Sequence, residues 1–200
     1  MRISASNLGC VRGSREIFRN VNFSLASGQA VAVVGPNGAG KSSLLRIVAG
    51  LLRLDSGRLE LDGGDPELTI PEQAHYLGHQ DALKPSLSVV ENLGFWAGYL
   101  DNGRAGLTAA LEAVGLDAIR DLPAGYLSAG QRRRLSIARL VAVGRPIWLL
   151  DEAAATLDQA AQARLVDLMR GHLAGGGLIL AATHAPLGIE APELRLGGIV

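Results

Sequence analysis

Eight residues, Gly35 to Ser42 (GPNGAGKS), bring together three glycines, a lysine and a hydroxyl in an order suited to holding polyphosphate. Backbone amides can approach a phosphate only where no Cβ intervenes, a need met by Gly35, Gly38 and Gly40, with Pro36, Asn37 and Ala39 completing the loop. Lys41 can reach β- and γ-phosphates as a point charge, the Ser42 hydroxyl is placed to ligate Mg2+, and Ser43 follows in the same turn. A second chemical group closes the apolar run IWLLDE, where Asp151 and Glu152 stand at the end of a strand. Ligands bind at that edge of an α/β sheet, so Asp151 suits a Mg2+ partner and Glu152 a group that polarises attacking water. Alone, such an acidic pair is more often a helix cap or a solvated edge; a complete phosphate loop in the same chain reverses that preference.

A third group is LSAGQ, Leu127 to Gln131, a serine hydroxyl and a glycine amide at a helix start, followed by Arg132, Arg133 and Arg134. Positive charge in a first helical turn opposes the macrodipole at a cost of a few tenths of a kcal/mol each. Either an anion offsets the arginines, or the segment is an ordinary capped helix with a solvated arginine face.

The elements that must position these groups follow from periodicity. Arg2 to Ala5 and Val21 to Leu25 alternate as half-buried strands do, predicting a small antiparallel layer. Ala30 to Val34 is an apolar β-branched run ending at the glycine loop, and apolar residues at Leu44, Leu45, Val48 and Leu51 predict a helix from Lys41. Arg58 to Leu61 reads as a short strand and Asp62 to Pro71 as a loop. From Ser88, a candidate helix cap, to about Leu173 the pattern is mainly helical, broken at DNGRAG, LPAGY and GRP. Ile147 to Leu150 and Leu178 to Ala182 return as apolar strands, predicting parallel strands with helical crossovers. His75 and His79 have the spacing of two ligands on a helix turn, but Gly78 and the strand-like surroundings oppose a helix there, and no third ligand accompanies them.

Two hundred residues suit one domain, residues 1–200, with a helical subdomain over about 88–145. Basic and acidic side chains balance at 19 each, which excludes a strong bulk field for nucleic acid or anionic lipid. Cys10 is the only cysteine, excluding an internal disulfide and favouring a reducing compartment. No apolar stretch approaches the roughly 18 residues that suggest a membrane span, and the N-terminus has no secretory pattern.

In order along the chain, GPNGAGKSS, LSAGQ, IWLLDE, TLD (Thr156 to Asp158) and THA (Thr183 to Ala185) resemble the motifs of ATP-binding cassette ATPases. The resemblance implies an α/β fold of the P-loop NTPase class: a RecA-like core, an N-terminal antiparallel β layer and a helical subdomain bearing LSAGQ. It implies ATP and Mg2+ as ligands and a second copy of the chain as partner, two protomers meeting head to tail around two nucleotides. Ser128, Gly130 and Gln131 would then contact nucleotide held by the other copy, and Asp158 would couple the two sites. Gln80 matches the glutamine that senses Mg2+ and water, and His184 the histidine that contacts the γ-phosphate and holds the attacking water. The chain departs from the family pattern where an aromatic normally stacks on adenine: CVRGSREIF offers Arg12, with Phe18 several residues later. Arg12 stacks its guanidinium on the base, or the base is loosely held. A proline often found after the acidic pair is Ala153 here.

Within that family, NLGCVRGSREIF, YLGHQDALKPSLSVVENLGFW and LSAGQRRRLSIARL are most similar to the ATP-binding subunits of cytochrome c maturation systems. This implies a peripheral subunit at the cytoplasmic face of a bacterial inner membrane, held by integral membrane transporter subunits of the cytochrome c maturation complex. Its ATP hydrolysis would drive haem export or release of haem to a chaperone. The alternatives are an exporter of lipid, polysaccharide or drug, and a soluble cassette ATPase of DNA repair or translation; the neutral charge opposes the nucleic-acid partner of the last.

Overall fold

Alternation breaks twice near the N-terminus, and both breaks are absorbed without ending a strand. β1 spans Arg2–Arg12 and β2 spans Arg15–Ala26, each far longer than the four- or five-residue segments its alternation predicts. In β1 the buried positions change from Ile3 and Ala5 to Leu8 and Cys10, with a register shift between Ala5 and Leu8 and Asn7 at φ +53°. In β2 they change from Phe18 to Val21 and Leu25, with Asn20 at φ +56°. Each asparagine takes a left-handed conformation that it tolerates better than most residues, so a bulge re-phases the alternation and the strand continues. The computed structural model describes residues 1–101 and 106–197, so most of the break expected at DNGRAG lies outside the described residues.

β3 (Ala30–Val34) leads through the glycine loop into α1 (Lys41–Val48). That helix stops before Leu51: Gly50 takes φ +68° just past the Ala49 cap, and Leu51 is 64% exposed rather than part of the apolar face expected of it. β4 (Ser56–Asp62) completes an antiparallel sheet in the order β2-β1-β4. β5 (Ala74–Leu77) begins the second sheet, so His75 lies on a strand and the helix-turn pairing with His79 does not arise. Farther along come α2 (Val89–Asp101), α3 (Leu107–Ala113), α4 (Ala129–Ala142), β6 (Ile147–Asp151), α5 (Gln159–Ala174), β7 (Leu178–Ala182) and β8 (Glu193–Arg195).

The second sheet runs β5-β6-β7-β3-β8, parallel throughout. Every residue of β6 and β7 is buried, which explains the apolar runs Ile147 to Leu150 and Leu178 to Ala182. One core joins Ile3, Leu8 and Leu25 of the antiparallel layer, Leu44 and Leu45 of α1, and Leu149 and Leu180 of the parallel sheet. Burying each of these large side chains contributes about 1.5–3 kcal/mol before entropy is counted.

The chain divides into two compact units. The first holds residues 1–78, 145–152 and 169–200, and so both sheets and α1. The second holds residues 79–144 and 153–168, with α2, α3, α4 and the first part of α5. Ser88 does cap α2: its hydroxyl accepts from the Glu91 amide and Glu91 returns a bond to the Ser88 amide. Val89, Leu93 and Ala97 form the buried stripe of α2. Asn92 is buried among them and donates to the carbonyls of Lys84, Leu87 and Ser88 while accepting from the Lys84 amide, pinning the loop that enters the helix.

Candidate functional site

Packing within the chain requires two of the loop's glycines. A Cβ at Gly35 would collide with the Leu196 carbonyl, and one at Gly40 would come within 2.6 Å of Ile17 and 2.8 Å of Phe18. Gly38, at φ +81° with nothing within 4 Å of a hypothetical Cβ, remains open on that side. Phe18 is therefore a core residue under the loop, not an available ring for a base. Arg12 is exposed at the end of β1, opposite Arg15 across the turn. Pro36 and Asn37 are exposed, while Ala39 and Ser43 are buried.

Lys41 is 8% exposed and its ammonium spends three donors inside the unit. They go to the Gly35 carbonyl at 2.9 Å, the Pro36 carbonyl at 3.3 Å and Nε2 of His184 at 3.1 Å. An ammonium has only hydrogens to offer, so in this contact Nε2 is the acceptor. The same Nε2 lies 3.6 Å from Oε1 of Glu152. Glu152 follows β6 at φ +52°, its amide bonded to the Ala182 carbonyl at the end of β7, which aims the side chain toward His184. Residues 143 apart in sequence thus meet because β3, β6 and β7 end at one edge of the sheet.

Asp151 is 1% exposed at the end of β6. Its Oδ1 accepts from the Ser42 hydroxyl at 2.9 Å and its Oδ2 from the Tyr76 hydroxyl at 3.0 Å. Arg46 donates in turn to the Tyr76 oxygen at 3.2 Å. Burial raises the Tyr76 pKa, with the Asp151 charge adding to the rise and Arg46 opposing it, so the phenol keeps its proton. Tyr76 and Arg46 escape the sequence reading because the stretch that opens at Tyr76 singles out only Gln80 as functional, Arg46 lies outside every quoted motif, and β5 has only four residues, too few for periodicity to show.

The other predicted residues lie in the second unit: Gln80, Ser128, Gly130, Gln131 and Asp158. Ser128 caps α4, its hydroxyl accepting from the Gln131 amide at 3.2 Å while the Gln131 side chain accepts from the Ser128 amide at 2.8 Å. Gly130 sits so near the Thr156 carbonyl that a Cβ would stand 3.3 Å from it. Asp158 caps α5 through the Ala161 amide at 2.7 Å. The three arginines turn back into their own unit instead of forming a fully solvated face. Arg133 is 4% exposed, bonded to the Ala153 carbonyl at 2.9 Å and 3.5 Å from the Asp81 carboxylate. Arg132 donates to the Leu127 carbonyl, and Arg134 to the carbonyls of Val114 and Gly115. Long side chains carry their charge back to carbonyls, so the macrodipole penalty is met by bonds within the unit.

The profile of the ABC transporter family matches residues 18–155, which contain the glycine loop, LSAGQ and the acidic pair. The chain belongs to the ABC transporter family. As an ABC ATPase it binds nucleotide and hydrolyses ATP. It is 64% identical over 198 residues to the "Cytochrome c biogenesis ATP-binding export protein CcmA" of Nitrobacter winogradskyi, covering 99% of each chain. A protein of that name from Bradyrhizobium diazoefficiens is 60% identical over 199 residues, with both chains fully covered. Among solved structures, an ATP-binding subunit of an ABC transporter superposes with a TM-score of 0.82 at 24% identity, covering 92% of this chain and 80% of that one. A bacterial Atm1-family ABC exporter with ATP bound gives 0.83 at 25% identity, covering 98% of this chain and 37% of that one. The ABC ATPase fold thus accounts for both the antiparallel layer and the parallel sheet. Among the described residues no helix is long and apolar enough to cross a membrane.

Proposed function

We propose that residues 1–200 form one ATPase domain of a bacterial inner-membrane ABC complex that serves c-type cytochrome biogenesis. The cytochrome assignment rests on relatives so named that match at 64% identity over 99% of both chains. The chemistry rests on one observation, the meeting of Lys41, His184 and Glu152 beside the Ser42–Asp151 pair.

Ser42 and Asp151 present hard oxygen donors 2.9 Å apart, the donor type that Mg2+ prefers, so the residues fit the ion the family implies. Bound there, Mg2+ would supply charge neutralisation to the β- and γ-phosphates. Lys41 exchanges its loop carbonyls for phosphate oxygens, and residues 35–43 wrap the phosphates with backbone amides. Glu152 accepts a hydrogen bond from the attacking water, and His184 holds that water against the γ-phosphate. In the reading by resemblance, Gln80 senses metal and water, while Ser128, Gly130, Gln131 and Asp158 act on the site of a second copy. Arg12 is the candidate for the adenine face. Membrane subunits hold the pair at the cytoplasmic face, and no nucleic acid is involved.

Glu152→Gln should lower turnover by about 100-fold or more and accumulate an ATP-bound dimer, read by single-turnover kinetics and gel filtration. Ser128→Arg mixed with wild-type chains should impair the site opposite the altered subunit; an effect limited to its own site contradicts shared sites. Deleting the gene should abolish covalent haem attachment to c-type cytochromes, and normal cytochromes would refute the cytochrome assignment while sparing the ATPase.

A further inference from the structure

Four side chains on three elements, Asp151 among them, form one hydrogen-bonded chain. α1 contributes two of them, Ser42 and Arg46, one helical turn apart and therefore on one face. Ser42 donates to Oδ1 of Asp151, Tyr76 donates to Oδ2, and Arg46 donates to the Tyr76 oxygen. The direction of each bond follows from the donor inventory. Arg46 cannot accept, so the phenol oxygen accepts from it, and the single phenol proton goes to the carboxylate. β5 and β6 run parallel with Tyr76 opposite Leu149, two residues before Asp151. Leu149 and Asp151 share a face of the sheet, and the ring is long enough to carry its hydroxyl forward to the carboxylate. The end of β5 is shaped around that ring: a Cβ at Gly78 would come within 2.8 Å of it.

We propose that Tyr76, backed by Arg46, is a positioning residue for Mg2+: its hydroxyl fixes the plane of the Asp151 carboxylate so that one oxygen stays aimed at Ser42 and the ion. The proposal rests on the reading of Ser42 and Asp151 as the metal site. One bond to each oxygen holds a carboxylate against rotation, whereas a bond to a single oxygen leaves it a hinge. When the Ser42 oxygen turns to the metal, Tyr76 still holds Oδ2. The Arg46 charge behind the phenol strengthens its donation.

The test uses Mn2+ as the probe, titrated into the full chain with a non-hydrolysable ATP analogue and followed by electron paramagnetic resonance. Tyr76→Phe keeps the ring and removes the bond. It should raise the half-saturating Mn2+ concentration about 10-fold, the scale of losing a group that orients a metal ligand, while nucleotide affinity in EDTA stays within about twofold. Arg46→Gln should shift Mn2+ in the same direction by less, and it carries the test if Tyr76→Phe does not fold. Unchanged Mn2+ affinity in these variants, or an equal loss of nucleotide affinity in EDTA, overturns the proposal. Asp151→Asn, run in parallel, separates the two readings. If it leaves Mn2+ binding intact, the metal-site assignment fails and takes the proposal with it; if it alone weakens binding, only the role of Tyr76 fails.

Discussion

Glu152 follows β6 with φ at +52°, a left-handed conformation that costs a residue bearing a side chain on the order of 1 kcal/mol. The hydrogen bond that its backbone N–H donates to the Ala182 carbonyl holds it there, so strain and chemistry coincide at one residue. Asparagine tolerates this conformation better than glutamate. Glu152→Asn should therefore abolish turnover while thermal stability holds or rises by up to about 1 kcal/mol, as calorimetry beside an ATPase assay would show. His172 makes a second residue-scale case. Its ring stacks on Trp148 at 3.9 Å, its Nε2 lies 3.1 Å from the Pro146 carbonyl, and a Cβ at Gly177 would strike it. Burial pushes its pKa below the usual imidazole range, with backbone hydrogen bonds at Leu178 and Pro146 opposing part of the shift. The unfolded chain then binds the proton more readily, so stability is full above about pH 6.5 and falls as pH drops toward the folded pKa. Urea melts from pH 8 to pH 5 should show that slope, and His172→Gln should flatten it.

At the scale of the element, α4 depends on its cap and on its two buried guanidinium groups, Arg133 and Arg139. Ser128→Ala removes the hydroxyl that accepts from the Gln131 amide and should cost about 1 kcal/mol, read by chemical denaturation. Asp81 accepts from the Ser136 hydroxyl and faces Arg133, so it ties the residue after Gln80 to the middle of α4. Asp81→Ala leaves the Arg133 charge buried without that carboxylate and should cost roughly 1–3 kcal/mol, below the full buried-pair figure because Asp81 is partly exposed. Arg139 beneath it is pushed down to about 10 by burial, yet remains charged at neutral pH with its guanidinium over the Trp96 ring at 4.8 Å. The arginine run RRR reads in sequence as a patch because composition is visible there, whereas the carbonyls it reaches, from Val114 to Ala153, are dispersed along the chain.

For the whole molecule, the proposed pairing makes turnover a property of two chains. Specific activity should rise with protein concentration and saturate as dimers form, and a strictly monomeric chain turning over ATP at full rate would overturn the shared-site mechanism. With 19 charges of each sign, that association should depend only weakly on salt, measured as the activity midpoint between 50 and 500 mM.

GPNGAGKS was legible because its residue types and spacing define its chemistry, while LSAGQ and the acidic pair gained meaning only beside it; β3, β6 and β7 were legible because burial on both faces leaves apolar runs. The lengths of β1 and β2 were not, since bulges at Asn7 and Asn20 shift the alternation that marks a strand. Local pattern cannot specify which partner a side chain meets. Ser42 finds Asp151 across 109 residues and Lys41 finds His184 across 143, because a parallel sheet ordered β5-β6-β7-β3-β8 gathers strand ends that are distant in the chain. Tyr76 enters the site by register alone, and Phe18 leaves it by burial; both outcomes belong to packing, which the order of residues implies but does not display.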